Sequence, residues 1–167
     1  MSEDAPLERD VLERAIELAY RAVGRRDLTV AELRTALERR RIEPAAIDAA
    51  VAELEGAGFL DDARYAARFA EDKRELQRWG SERIVRELRR RGIAPQLVDE
   101  VIAGRGRRDE LASALVLLEQ RLHEPPRDDR ERDRAWRLLV RRGYEPELGY
   151  EAIRAYERLV EERRRAA

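Results

Sequence analysis

A 51-residue period built around proline constrains this chain more than any other feature of its sequence. Leu37, Leu88 and Leu139 are each followed five residues later by Ile42, Ile93 and Tyr144, and seven later by Pro44, Pro95 and Pro146. In the same frame Leu33, Ile84 and Ala135 superpose, as do Arg40, Arg91 and Arg142, and Val51, Ile102 and Ile153. Three ungapped copies define a repeat array, in which each unit of about 50 residues has too few large apolar side chains to fold alone and gains the missing burial by stacking.

Each copy parses as three helices, here A, B and C. In the first copy, helix A spans roughly residues 8–23, with Val11, Leu12, Ala15, Ile16, Leu18 and Ala19 on one stripe, and stops at Gly24. Helix B starts at Thr29, where Thr29 and Glu32 have the spacing of a capping box, and buries Leu33 and Leu37. Helix C opens on Pro44, at the position where a missing N–H costs nothing, and runs through Ile47, Val51 and Leu54 to about Ala57. The same pattern predicts helices near 61–78, 81–91 and 95–103, and near 107–123, 128–142 and 146–163. Gly92 and Gly143 fall where helix B ends and suit a left-handed residue there, followed by an apolar contact from Ile93 or Tyr144. The first copy has Arg41 at that position, which predicts a looser or differently shaped turn, because an arginine in that conformation costs on the order of 1 kcal/mol. The prolines of the linker His123-Glu124-Pro125-Pro126 predict an extended, semi-rigid bend.

The expected fold is therefore all-α: three tandem three-helix repeats, at 8–58, 59–104 and 105–165, forming an elongated curved array whose ends differ. Composition agrees, with 43% charged residues, only 5% aromatics and no cysteine, which excludes disulfides and thiolate metal sites. The acidic start MSEDAPLERD has no apolar targeting core, and no run approaches the roughly 20 apolar residues of a membrane span. A cytoplasmic monomer is the expectation, with no membrane partner, because the array ends are polar. The net charge of −1 argues against a protein that coats nucleic acid uniformly. Acidic residues outnumber basic ones 13 to 9 over residues 1–58, whereas basic residues lead 10 to 9 over 59–104 and 16 to 14 over 105–167.

At the junction of the first two copies stand Leu54, Gly58, Phe59, Leu60, Asp61, Asp62, Arg64, Tyr65 and Ala66. This resembles the L-x3-G-h-L-D-D-x-R-[YF]-A signature of RecX proteins, and Gly80, Ile84, Leu88, Arg91, Gly92 and Ile93 are similar to the family's G-x3-I-x3-L-x2-[KR]-G-I. The resemblance covers essentially residues 10–160. It implies a modulator, usually an inhibitor, of the RecA recombinase in homologous recombination and DNA repair. Family members are three-repeat helical proteins that lie in the groove of the RecA–DNA filament and limit its growth, ATP turnover and strand exchange. The implied partners are the RecA filament and DNA, the latter bound weakly or within the filament, with no cofactor.

Asp61 and Asp62 are paired carboxylates, but directly after Leu60 and at a helix start they serve better as caps than as catalytic or metal-binding groups. No histidine, third carboxylate or phosphate-cradling loop is expected near them, and no metal site, Walker-type loop or nucleophile–base pair is legible, so the chain reads as a non-enzyme with no catalytic residues. Gly58, Arg64, Tyr65, Gly80 and Gly92 complete this set of structural motif residues.

The candidate binding residues are arginines on helix B. At 100° per residue Ile84 and Leu88 face inward, whereas Arg83, Arg86, Arg89 and Arg90 lie on the opposite side. The third copy repeats the stripe with Arg134, Arg137 and Arg141, the first does not, and Arg105, Arg107 and Arg108 follow in the turn between copies. A charged helix face is commonly only a solvated one; recurrence in two copies suggests contact with DNA phosphates or an acidic RecA surface. Trp79 and Trp136 can stack on bases, although filling gaps between neighbouring repeats is the preferred role, and His123 has none. Two other functions remain open. A helix-turn-helix regulator would read DNA with helix C, whose Asp48, Glu53, Glu55, Asp99 and Glu100 suit it poorly; a general helical scaffold would bind unrelated peptides.

Overall fold

A computed structural model describes the backbone of residues 4–166 and the side chains of residues 9–166. Among the described residues every regular element is helical: α1 (Asp4–Val23), α2 (Val30–Glu38), α3 (Pro44–Gly56), α4 (Asp62–Gln77), α5 (Ser81–Arg90), α6 (Pro95–Ala103), α7 (Arg107–Arg121), α8 (Asp129–Arg142) and α9 (Pro146–Ala166). The expected A, B and C helices are all present in order. Proline opens each C helix, and the capping box of Thr29 and Glu32 closes as its spacing predicts.

The chain gathers into two compact units. One holds the chain up to Ala67 together with Leu88–Leu97, and the other holds Arg68–Glu87 and everything from Val98. In the first unit Ala15 and Ala19 of α1 meet Leu33 and Leu37 of α2 and Ile47, Ala50, Val51 and Leu54 of α3, with Leu60 closing the core. Small residues on α1 let α3 approach closely. Val11, expected on this stripe, is 36% exposed, because it lies a turn before Ala15, where the buried stretch begins. In the second unit Ala114, Leu117 and Leu118 of α7 pack with Ala135 and Leu139 of α8 and Leu148, Ala152, Ile153 and Tyr156 of α9 around the fully buried Tyr144. The linker after α7 starts at an extended Leu122, whose carbonyl accepts from Tyr156 Oη at 3.2 Å.

The turn of the first copy does not differ from the others. Arg41 takes a left-handed φ of 59°, as Gly92 does at 79° and Gly143 at 90°. In all three turns the next residue's N–H reaches back to the same frame position: Ile42 to Leu37 O at 3.3 Å, Ile93 to Leu88 O at 3.1 Å, Tyr144 to Leu139 O at 3.2 Å. The apolar contact that follows the turn and these closing bonds outweigh the roughly 1 kcal/mol that the arginine backbone costs.

Candidate interaction faces and repeat junctions

The motif residues build a joint at the start of α2. Thr29 Oγ1 accepts from Glu32 N–H at 3.1 Å and donates to the carbonyl of Arg91 at 2.7 Å. Val30 N–H, one of the orphan donors of α2, is satisfied by Asp62 Oδ1 at 2.9 Å. Asp61 caps its own helix instead, accepting from Arg64 N–H at 2.8 Å, and Arg64 Nη2 donates to Gly58 O at 2.8 Å. Arg91 Nη1 donates to Tyr65 Oη at 2.6 Å and to Glu32 Oε1 at 3.3 Å. Leu60 is buried beneath the joint. Burial pushes the Asp62 carboxyl above its ordinary range; the Val30 N–H opposes this, and the carboxylates of Glu55, Asp61 and Glu32 add to it. Burial also raises the Tyr65 phenol, against the pull of Arg91.

The same joint recurs 51 residues later. Gly80 occupies the frame position of Thr29 and donates its N–H to the carbonyl of Arg142, the equivalent of Arg91, at 2.9 Å. Glu82 N–H follows with a bond to Gly143 O at 3.0 Å, and Ser81 N–H is taken by Glu110 Oε1 at 2.6 Å. A Cβ on Gly80 would stand 2.3 Å from Gly143 O, and one on Gly143 would stand 2.3 Å from the Cβ of Arg83, so both glycines are required by close backbone approach.

The arginines expected to form one stripe divide into two kinds. Arg83 is half-buried, its guanidinium 4.0 Å from the centre of the Trp79 ring and Nη1 3.3 Å from the carbonyl of Arg141. Arg105 is also half-buried and bonds to Asp109 O at 3.2 Å, while Arg107 bridges Glu145 at 3.2 Å and Glu151 at 2.9 Å. Arg137 pairs with Asp133 at 2.6 Å. Arg86, Arg89, Arg108, Arg134 and Arg141 are exposed, and so are the paired Arg107 and Arg137 and the engaged Arg90.

Both tryptophans make ring contacts with residues of their own repeats. Trp79 lies against Phe69, Lys73 and Arg83. Trp136 donates Nε1–H to Pro146 O at 3.2 Å and stacks on Tyr150 at 5.5 Å. Helix C departs from a DNA-reading helix: Asp48, Glu53, Glu55, Asp99 and Glu100 are all exposed on α3 and α6. Among the described residues no group of three or more His, Asp or Glu could hold a metal ion, and no helix is long and apolar enough to cross a membrane.

Helix order, proline-led C helices and the recurring joint define a protein built from tandem three-helix repeats. Residues 61–102 match the family model described as RecX, second three-helix domain. The chain is 34% identical to the regulatory protein RecX of Deinococcus radiodurans over 142 residues, covering 85% of this chain and 68% of that one. It is 36% identical to that of Trichlorobacter lovleyi over 134 residues, covering 78% and 87%. The crystal structure of RecX from Lactobacillus salivarius matches with a TM-score of 0.78 at 14% identity over 89% of this chain and 98% of that one. A second crystal structure of a regulatory protein RecX gives 0.79 at 19% identity over 93% and 80%. The chain belongs to the RecX family, whose named members are regulatory proteins.

Proposed function

We propose that this protein modulates the RecA recombinase, in the inhibitory direction, by binding RecA–DNA filaments as a cytoplasmic monomer and without chemistry of its own. One observation carries the proposal beyond family membership: α5 and α8 both present arginines outward, and Arg86, Arg89 and Arg134 are exposed with no carboxylate partner among the described residues. Guanidinium groups left unneutralised match phosphate or carboxylate oxygens in bidentate fashion. Arg83 and Arg105 serve the repeat itself and leave the candidate set.

The test is RecA ATPase on single-stranded DNA with increasing amounts of this protein, with filament length measured by electron microscopy in the same samples. Loss of turnover with shortened filaments assigns end-capping, and loss with intact filaments assigns groove coating. The triple variant R86E/R89E/R134E is expected to abolish either effect. No effect of the wild-type protein overturns the function, and full inhibition by the folded triple variant overturns the role of the arginines.

A further inference from the structure

The first two repeats differ in one filled space. Helices α1 and α4 are in register: Ala15 and Ala19, 51 residues before Ala66 and Ala70, are buried as those are. Beside this face the second repeat carries Phe69, Lys73 and Trp79, with the two rings 6.2 Å apart and Lys73 Nζ 5.4 and 5.1 Å from their centres. The corresponding residues of the first repeat are Leu18, Ala22 and Leu28. Two aromatic rings and a lysine chain are missing there, and a groove of about 360 Å³ is present in their place, floored by Leu18, Ala22, Leu28 and Ala36. That volume falls at the small end of binding clefts, which run from about 300 to 1,000 Å³.

The rim of this groove is arginine. Arg21 and Arg26 are neutralised by Glu17 at 2.5 Å and Glu32 at 3.2 Å. Arg25 and Arg40 line the same groove, are exposed and have no carboxylate partner among the described residues. Their place at the C-terminal ends of α1 and α2 complements the helix dipoles, but a dipole does not explain the empty floor beneath them. Arg39 and Arg41 flank Arg40 and are exposed too, so basic charge is concentrated at this rim within a stretch, residues 1–58, in which acidic residues predominate. The floor is apolar and offers no aromatic ring on which a base could stack, so it suits an aliphatic side chain better than a nucleic-acid strand. A second copy docking as the repeats do is also excluded, since the equivalents of Arg41 are glycines whose added Cβ would lie 2.3 Å from the docked helix.

We propose that this groove is a docking site for a short acidic segment of a partner protein, with one leucine-like side chain on the Leu18–Ala22–Ala36 floor and flanking carboxylates on Arg25 and Arg40. The site uses none of the α5 and α8 arginines, so it stands or falls apart from the filament-binding proposal. The test is fluorescence anisotropy with three labelled probes: a short peptide of repeated Glu-Leu-Asp units, an oligoglutamate of equal length and an oligothymidylate. The full chain is expected to bind the leucine-bearing peptide, and both R25E/R40E and the groove-filling A22F variant to bind it at least about tenfold more weakly. Oligothymidylate binding is expected to be unchanged by R25E/R40E. The proposal is overturned by absence of peptide binding, by equal binding of oligoglutamate, by unaltered binding in R25E/R40E, or by loss of oligothymidylate binding in that variant. The charge variant alters only exposed side chains, so its result does not depend on refilling the groove.

Discussion

A Cβ placed on Gly92 would stand 2.3 Å from the Cβ of Ala31, so the end of α5 and the start of α2 meet at a distance that only glycine permits. The backbone conformation alone does not require it, because Arg41 takes the same left-handed turn. Two effects usually credited together to a helix-ending glycine are thus separable in this one chain. Gly92→Ala is expected to cost about 3 kcal/mol or more, from a left-handed alanine plus an overpacked contact. Arg41→Gly is expected to fall within about 1 kcal/mol of wild type, on the stabilising side, since relief of the turn is offset by unfolded-state entropy. Urea unfolding of both measures this; a cost below about 1 kcal/mol for Gly92→Ala would show that close approach is not the reason for the glycine.

Arg91 is held from two sides, by Tyr65 Oη at 2.6 Å and Glu32 Oε1 at 3.3 Å, while its own carbonyl receives Thr29. Tyr65→Phe removes one acceptor from a half-buried guanidinium and should destabilise by about 1–2 kcal/mol. Thr29→Val removes both the cap and the bond to Arg91 O and should cost more. Equal thermal midpoints for wild type and Tyr65→Phe would mean that the phenol contributes nothing to the joint.

Asp62 gives the joint a pH dependence. Burial lifts its carboxyl above the ordinary 3.8, so the folded chain holds this proton more tightly than the unfolded chain. The group's contribution to stability is therefore full below 3.8 and is lost as pH rises through the folded pKa. Asp62→Asn keeps an oxygen for Val30 N–H without the charge. It is expected to be more stable than wild type at pH 7, with the difference vanishing below pH 3.8; chemical denaturation at several pH values measures it. A variant less stable at pH 7 would show that the ionised carboxylate is favoured by the α2 dipole beyond its burial cost.

The period made the order and ends of the helices legible, because proline at a first position and a capping box are local rules that packing here does not override. Three things were hidden for a physical reason each. At Arg41 the strain of one residue is visible in the sequence, whereas the backbone bonds that close the turn are not. Helical angle places Arg83 with the other arginines of α5 but cannot show the aromatic ring beneath it. The groove of the first repeat is carried by three positions, since Leu18, Ala22 and Leu28 stand where the second repeat has Phe69, Lys73 and Trp79, and a net charge over 58 residues averages away the arginines beside it.

The division of the stripe can be measured on two neighbours of α5. Arg83 holds its guanidinium 4.0 Å from the centre of the Trp79 ring, whereas Arg86, one turn on, is exposed. Arg83→Ala loses a partly desolvated cation–π contact and the bond to Arg141 O and should destabilise by about 1–2 kcal/mol. Arg83→Lys keeps the charge but not the planar stack, so it should recover only part of that loss. Arg86→Ala should change stability by less than about 0.5 kcal/mol, as is usual for a surface site. Tryptophan fluorescence during unfolding reports both, since Trp79 is one of only two tryptophans in the chain. If the two alanine variants unfold at the same denaturant concentration, the stack does not stabilise the repeat, and Arg83 returns to the set of residues available to a partner.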